Sequence, residues 1–369
     1  MDILKLVFCF SLAFVISFAA TPLVKALAYK IGAIDVPDGA RRVHKTPIPR
    51  LGGLAIFYGF LVSVLFFADL DTQLRGILIG ALLIVAMGMV DDVKQLGAKI
   101  KLLVQLLAAG IVVLHGVQIT AISVPDFIIE GGILPLGWAS IPGTIIWSGG
   151  VTNAVNLIDG LDGLAVGVSS IATFSLFFIA ILSGEPTVAI ISAALAGGCM
   201  GFIPYNFNPA KIFMGDTGST FLGFTLSVIC IQGLFKGYAI ISFIVPFLIL
   251  GLPIFDTAFA ILRRIKNKKP IMGADRGHLH HKLIDMGFSQ KQTVAILYVI
   301  AMLLGLSAVL VIDQGAYTAF VLMAVVLLAV LFAGFLLLVR SKKQEHEAQD
   351  SQASQADVIF GAKKQDKKK

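Results

Sequence analysis

The sequence predicts an all-α polytopic membrane protein with about eleven transmembrane helices. Three observations predict it. The 369 residues are 57% hydrophobic and only 14% charged, with a mean hydropathy of +0.91, whereas a soluble domain is nearer a quarter charged. The apolar residues fall in continuous runs close to the roughly 20 residues that cross a bilayer as a helix, not in the alternating segments of about 10 that build a membrane barrel. The basic residues are sorted by loop, as they are when charge sets membrane topology.

Taken in order, the apolar spans are 3–21, 51–67, 76–90, 101–115, 140–157, 164–182, 187–204, 219–235, 238–262, 293–312 and 316–339. Several are short for a straight crossing, which implies tilt. If alternate loops are assigned to two sides, one side takes 21–50, 91–101, 205–218, 263–292 and 340–369. Of the 29 Lys and Arg, only Lys5, Arg75 and Lys236 fall on the other. The basic side is the cytoplasm, so the N-terminus is outside and the C-terminus inside. Basic residues follow the first apolar run rather than precede it, against a cleaved signal. The outer loop 116–139 carries short β-rich pieces around Gly131-Gly132, a small hairpin. Residues 1–340 read as one integral membrane domain and 341–369 as a disordered, Lys-rich cytoplasmic tail. Cys9, Cys199 and Cys230 lie inside apolar runs without pairing motifs and read as small hydrophobes. The bases do not gather on a soluble face, which argues against nucleic acid. No repeat, dinucleotide fingerprint or Walker motif is present.

The informative residues are polar groups in places where such groups are costly. In "NAVNLIDGLDGLA", Asn153, Asn156, Asp159 and Asp162 lie at the inner end of one span and the turn into the next. Asn156, Asp159 and Asp162 recur at i+3 and could share a helical face. Polar side chains at such depth mark function by default. "GMVDDVKQLGAK" places Asp91 and Asp92 at a helix C-terminus, where carboxylates oppose the macrodipole, so a metal or base role is the better reading than a cap. "FNPAKIFMGDTGS" carries Asn206, Phe213 and Asp216; its loop-to-helix junction offers either a phosphate-binding N-terminus or a plain N-cap at Asp216 or Ser219. "ADRGHLHHKL" brings Arg276, His278, His280 and His281 into the most basic inner loop; without cysteines or i,i+4 spacing, an anion site is favoured over zinc. "RRVHKTPIPRLGG" adds Lys45. Asp256, within a span, fits either a contact between helices or a cavity lining. All five motifs fall on the cytoplasmic side.

Carboxylate oxygens together with anion-binding bases suit a magnesium-bound phosphorylated substrate, and phosphoryl transfer needs mostly positioning and charge neutralisation. In those five motifs and their order, from about residue 20 to 290, the chain resembles the polyprenyl-phosphate N-acetylhexosamine-1-phosphate transferases of glycosyltransferase family 4. The HLHH form is similar to the branch using UDP-N-acetylglucosamine, as in Gram-positive enzymes that begin wall teichoic acid linkage units, rather than to the muramoyl-pentapeptide branch. The resemblance implies a cytoplasmic-face reaction at the bacterial plasma membrane. Undecaprenyl phosphate and UDP-GlcNAc would give undecaprenyl-diphospho-GlcNAc and UMP.

It also implies Mg2+, or Mn2+ in its place, on Asp216 with Asn156 a candidate second ligand. Asp159 and Asp162 are implied at the nucleotide, Phe213 stacked on uracil, Lys45 and Asn206 on the uridine side, and Asp91 and Asp92 at the lipid phosphate. His278, His280, His281 and Arg276 are expected at the diphosphate, and a homodimer is expected. A phosphate monoester has a second pKa of roughly 6, so little is gained by deprotonating it. Asp91 and Asp92 are therefore expected to position the lipid phosphate. The rivals are a transferase for another UDP-sugar and an ion-coupled transporter, which would place its polar groups at mid-bilayer in repeated halves.

Overall fold

The computed structural model describes residues 2–36, 47–123, 129–130, 132–233, 241–270, 277–314 and 321. Twelve helices dominate the described residues: α1 (Ile3–Ile31), α2 (Gly53–Phe67), α3 (Thr72–Lys94), α4 (Ala98–Leu114), α5 (Ser140–Leu157), α6 (Leu164–Leu182), α7 (Pro186–Asn206), α8 (Gly215–Gly233), α9 (Ile241–Ile249), α10 (Gly251–Lys266), α11 (Leu279–Asp285) and α12 (Gln290–Gln314). Among them α1, α3, α6, α7 and α12 are long and apolar enough to cross a membrane. Many large apolar side chains face outward, including Leu23, Phe66, Leu114, Ile146 and Phe259. A soluble protein rarely leaves so much contiguous apolar surface uncovered; on a multi-pass membrane protein it faces lipid.

Local chemistry sets the helix ends. Asp2 and Asp71 cap α1 and α3 by accepting backbone N–H groups of Leu4 and Leu74, and Gly32 closes α1 in the left-handed region at φ +77°. The 3–21 span extends to Ile31, running through Pro22. The single span expected over 238–262 is two helices, broken at Leu250. Pro253 lacks the N–H that a continuous helix would bond at that point, and it fits instead in the first turn of α10. The expected hairpin is present as β3 (Ala121–Ser123) paired antiparallel with β4 (Ile133–Pro135). A second ladder, β1 (Ile34–Asp35) with β2 (Ile48–Pro49), was not signalled by the sequence. Apart from residue 321, the expected span 316–339 and the tail lie outside the described residues.

Helix α8 is the central post. Every residue from Thr217 to Gln232 is buried, and its neighbours come close because small residues meet. A side chain at Gly53 of α2 would strike Gly218, one at Gly88 of α3 would strike Thr217, and one at Gly223 would strike Thr152 of α5. Around this post α2, α3 and α5 stand with their ends near the first turn of α8. The polar motifs ride on those ends.

Candidate active site

Asp91 and Asp92 are adjacent on the last turn of α3, and helix geometry sends neighbours in different directions. Asp92 turns into the protein and is 2% exposed. Its carboxylate accepts the N–H of Asp216 (2.9 Å), the N–H of Thr217 (3.0 Å) and the Thr217 hydroxyl (2.6 Å). Asp92 is thus an N-cap supplied to α8 by another helix. The macrodipole conflict expected for acids at a C-terminus dissolves, because this carboxylate faces the positive end of α8. The cap role weighed for Asp216 or Ser219 belongs to Asp92. Two of the N–H groups that would suit a phosphate are already given to it.

Asp91 turns the other way and is 6% exposed. It accepts the N–H of Leu96 (2.6 Å) and the ammonium of Lys101 (3.0 Å). Lys101, from the first turns of α4, also donates to Asp216, so one cation joins two carboxylates from two helices. Asp216 sits in the first turn of α8 with its side chain partly open to solvent. Beside it Ser219 donates its hydroxyl to Asn156 at 2.8 Å, tying α8 to the end of α5. Arg50 completes this wall: its Nε donates to the Asp92 carbonyl at 3.1 Å.

The i+3 face expected for Asn156, Asp159 and Asp162 is not formed, because α5 stops at Leu157. A turn follows, ending at Gly163 with φ +79°. Asp159 and Asp162 therefore diverge. Asp159 stays with the acidic group; burial first, then the charges of Asp216, Asp92 and Asp162, pushes its carboxyl up to about 8. Asp162 turns away and accepts Asn208 Nδ2 (2.9 Å) and the N–H of Ala210 (3.0 Å). It pins the α7–α8 loop.

Asn206, expected on the uridine side, is buried between backbone groups: it accepts the Gly163 N–H at 3.1 Å and donates to the Ile212 carbonyl at 3.0 Å. Phe213 is half-buried, and its backbone bonds to Pro49 and Gly52. Those bonds join the described end of the first inner loop to the GDTGS segment.

The histidines arrive on α11. His280 lies against Gly160, where any Cβ would meet its Nε2, so the HLHH segment touches the Asp159 turn. Rings of His278 and His280 stack at 5.8 Å, and His281 lies 4.3 Å from His280. Burial, with the neighbouring His281 charge, pushes His280 down to about 4. The shift favours the uncharged ring at neutral pH. His278 Nδ1 is bonded to Asp256 at 2.8 Å, and Asp256 also lines a small cavity with Ile158, Leu279 and His280, so it both joins elements and lines a cavity. Lys45 and Arg276 lie outside the described residues.

The sequence reading missed Lys101, which counted only as a topological charge. The "AKIK" before an apolar run was its one signal. It also left Asn153 without a partner; the structure pairs it with Gln105 across α4 and α5 at 2.6 Å.

Asp216 and Asn156 offer a carboxylate and an amide oxygen on two helices joined through Ser219. Among the described residues no group of three or more His, Cys, Asp or Glu is placed to hold a metal. A donor set of few hard oxygens fits magnesium, which commonly takes one or two carboxylates and completes its shell with water and substrate phosphates.

Fold and site together define a multi-pass helical membrane protein whose charged groups converge where several helices end. Comparison with known proteins identifies the class more narrowly. The model of Glycosyl transferase family 4 matches residues 74–234. A probable undecaprenyl-phosphate N-acetylglucosaminyl 1-phosphate transferase of Bacillus subtilis is 43% identical over 307 residues, 83% of this chain and 85% of the relative. A decaprenyl-phosphate N-acetylglucosaminephosphotransferase of Mycobacterium tuberculosis is 34% identical, over 78% of this chain and 77% of its own. A phospho-N-acetylmuramoyl-pentapeptide-transferase of Desulforudis audaxviator is 36% identical over 58% of this chain and 72% of its own. The chain belongs to Glycosyl transferase family 4.

Proposed function

We propose that the protein transfers GlcNAc-1-phosphate from UDP-GlcNAc to undecaprenyl phosphate and releases UMP. One observation carries the reading. Asp91, Lys101, Asn156, Asp159 and Asp216, drawn from α3, α4, α8 and the end of α5, meet at one end of an apolar bundle. A transporter would need such groups at the middle of the bilayer. The 43% relative bears an N-acetylglucosaminyl name over most of both chains, whereas the muramoyl-pentapeptide relative matches a shorter stretch. That favours GlcNAc as the sugar.

Asp216 and Asn156 would hold Mg2+, which when bound supplies charge neutralisation of the diphosphate. The remaining work falls to the protein. Lys101 offers an ammonium that can shift from the carboxylates to a phosphate oxygen. Asp91, on the same lysine, limits how far that ammonium travels. Asp92 aims the first turn of α8 and touches no reactant. The Asp159 carboxyl, its pKa pushed up to about 8 by burial and the neighbouring acids, can offer a hydrogen bond to a phosphate oxygen. Lys45 and Arg276 would add cationic contacts to the nucleotide sugar.

The cleft would open to the cytoplasm of a bacterial plasma membrane crossed about eleven times, with the N-terminus outside and the C-terminus within. The product would enter teichoic acid or a related wall polymer, and the enzyme would act as a homodimer. Purified protein given undecaprenyl phosphate, magnesium and a panel of UDP-sugars should release UMP fastest from UDP-GlcNAc. Faster release from UDP-MurNAc-pentapeptide would reassign the sugar, and no release from any would refute the reading.

A further inference from the structure

The histidine segment rests on a carboxylate that neither the motifs nor the relatives' names assign. Asp256 lies on α10 with its side chain 7% exposed. One oxygen binds His278 Nδ1 at 2.8 Å and the other accepts the N–H of Leu279 at 2.8 Å. The two bonds are made by the residue before α11 and by its first residue. A helix of seven residues has little stability alone, so α11 keeps its place through what holds its start. Arg263, two turns along α10, lies against Gly277, where a Cβ would strike the guanidinium. The same helix thus grips the segment 277–279 twice. From His278 the contact runs on through the stacked ring of His280 to Gly160, beside Asp159.

A carboxylate only accepts, so the His278 nitrogen facing it carries the hydrogen. Nε2 is then the ring atom left for a ligand. We propose that Asp256 is a positioning residue that fixes the ring orientation and hydrogen-bonding sense of His278 toward the bound nucleotide sugar. This rests on the function proposed above. The pattern matches the physics of ligating histidines, whose second ring nitrogen is commonly held by a carboxylate that sets the tautomer.

Asp256→Asn separates orientation from mere support. Its amide oxygen can still accept from Leu279, but its NH2 group must face Nδ1, which reverses the ring's hydrogen-bonding sense. Asp256→Glu keeps a carboxylate. For full-length enzyme in lipid nanodiscs, UMP release should show KM for UDP-GlcNAc raised roughly tenfold in Asp256→Asn, the lower end for loss of such a partner. KM for undecaprenyl phosphate should stay within about twofold, and Asp256→Glu should recover most of the loss. In parallel, 15N spectra of histidine-labelled protein, with His278 assigned by His278→Gln, should show a protonated Nδ1 in wild type and a protonated Nε2 in Asp256→Asn.

Unchanged His278 nitrogen shifts in Asp256→Asn would overturn the proposal, as would equal losses for both substrates. A wild-type protein that releases no UMP would instead refute the transferase reading. The 15N comparison would then decide the Asp256 assignment by itself.

Discussion

The two walls of the cleft differ in how their polar side chains are held. On the acidic wall the restraints are backbone N–H groups and a lysine: Asp92 caps α8, and Asp91 and Asp216 share Lys101. On the histidine wall they are a carboxylate and ring packing: Asp256 grips His278, and His280 lies on Gly160. In both walls, neighbouring residues of one type have been given different work. Asp92 caps α8, while Asp91 holds Lys101. His278 keeps a polar partner, while His280 is a neutral ring that fills space. Spacing in a motif therefore says which residues come to the site, and the surrounding helices decide which of them act.

The largest effect should come from the acidic wall. Asp216→Asn removes the carboxylate that would carry the cation and should lower UMP release by about 10²–10³, the cost of deleting one preorganised charge contact. A loss of less than about tenfold would shift the weight of the chemistry away from α8. On the histidine wall Gly160→Ala should push His280 off the Asp159 turn. KM for UDP-GlcNAc should rise by several-fold as the packed histidine segment is displaced from the turn, with a modest fall in melting temperature because the buried ring must shift. An unaltered KM would detach the two loops functionally.

A third test concerns charge inside the acidic group. The folded carboxyl of Asp159 is pushed up to about 8, above its value of roughly 4 in an unfolded chain. Between those values the folded state binds the extra proton, so stability falls as pH rises through the window. Asp159→Asn abolishes that slope. Its melting temperature should match wild type near pH 4 and exceed it by a few degrees near pH 9. A difference independent of pH would contradict the placement of Asp159 among charges. The smallest effect concerns Asp91. The rate lost in Asp91→Asn at pH 7 should not return at pH 9, because a phosphate with a second pKa of roughly 6 is already ionised. Recovery at pH 9 would restore Asp91 as a base.

Much of this was legible in the sequence. Apolar run lengths placed α2 to α8 to within a few residues, and all five polar motifs have members around one cleft. What stayed hidden depends on direction rather than on position. Nothing in "DDVK" tells which aspartate meets α8, because that needs the packing of Gly88 against Thr217. The resemblance placed Asp162 and Asn206 on the nucleotide side, but nothing in their spacing foretold that they also satisfy loop backbone that would otherwise be buried unpaired. Lys101 was masked by the rule that explains cytoplasmic lysines as topology. The break at Leu250 was signalled by Pro253 but overruled by the length of the apolar run.

The division of labour between the adjacent aspartates is the claim on which the rest turns. It is tested most directly by measuring melting temperature and UMP release together for Asp91→Ala and Asp92→Ala. Asp92→Ala leaves buried donors of α8 unpaired and should cost about 2–4 kcal/mol, seen as a clear fall in melting temperature together with lost activity. Asp91→Ala removes the acceptor of the Leu96 N–H and of Lys101 but no cap of a buried helix, so it should lower the melting temperature less than Asp92→Ala does, yet turn over far more slowly. Equal melting losses in the two variants, or an Asp92→Ala protein as stable as wild type, would contradict the account.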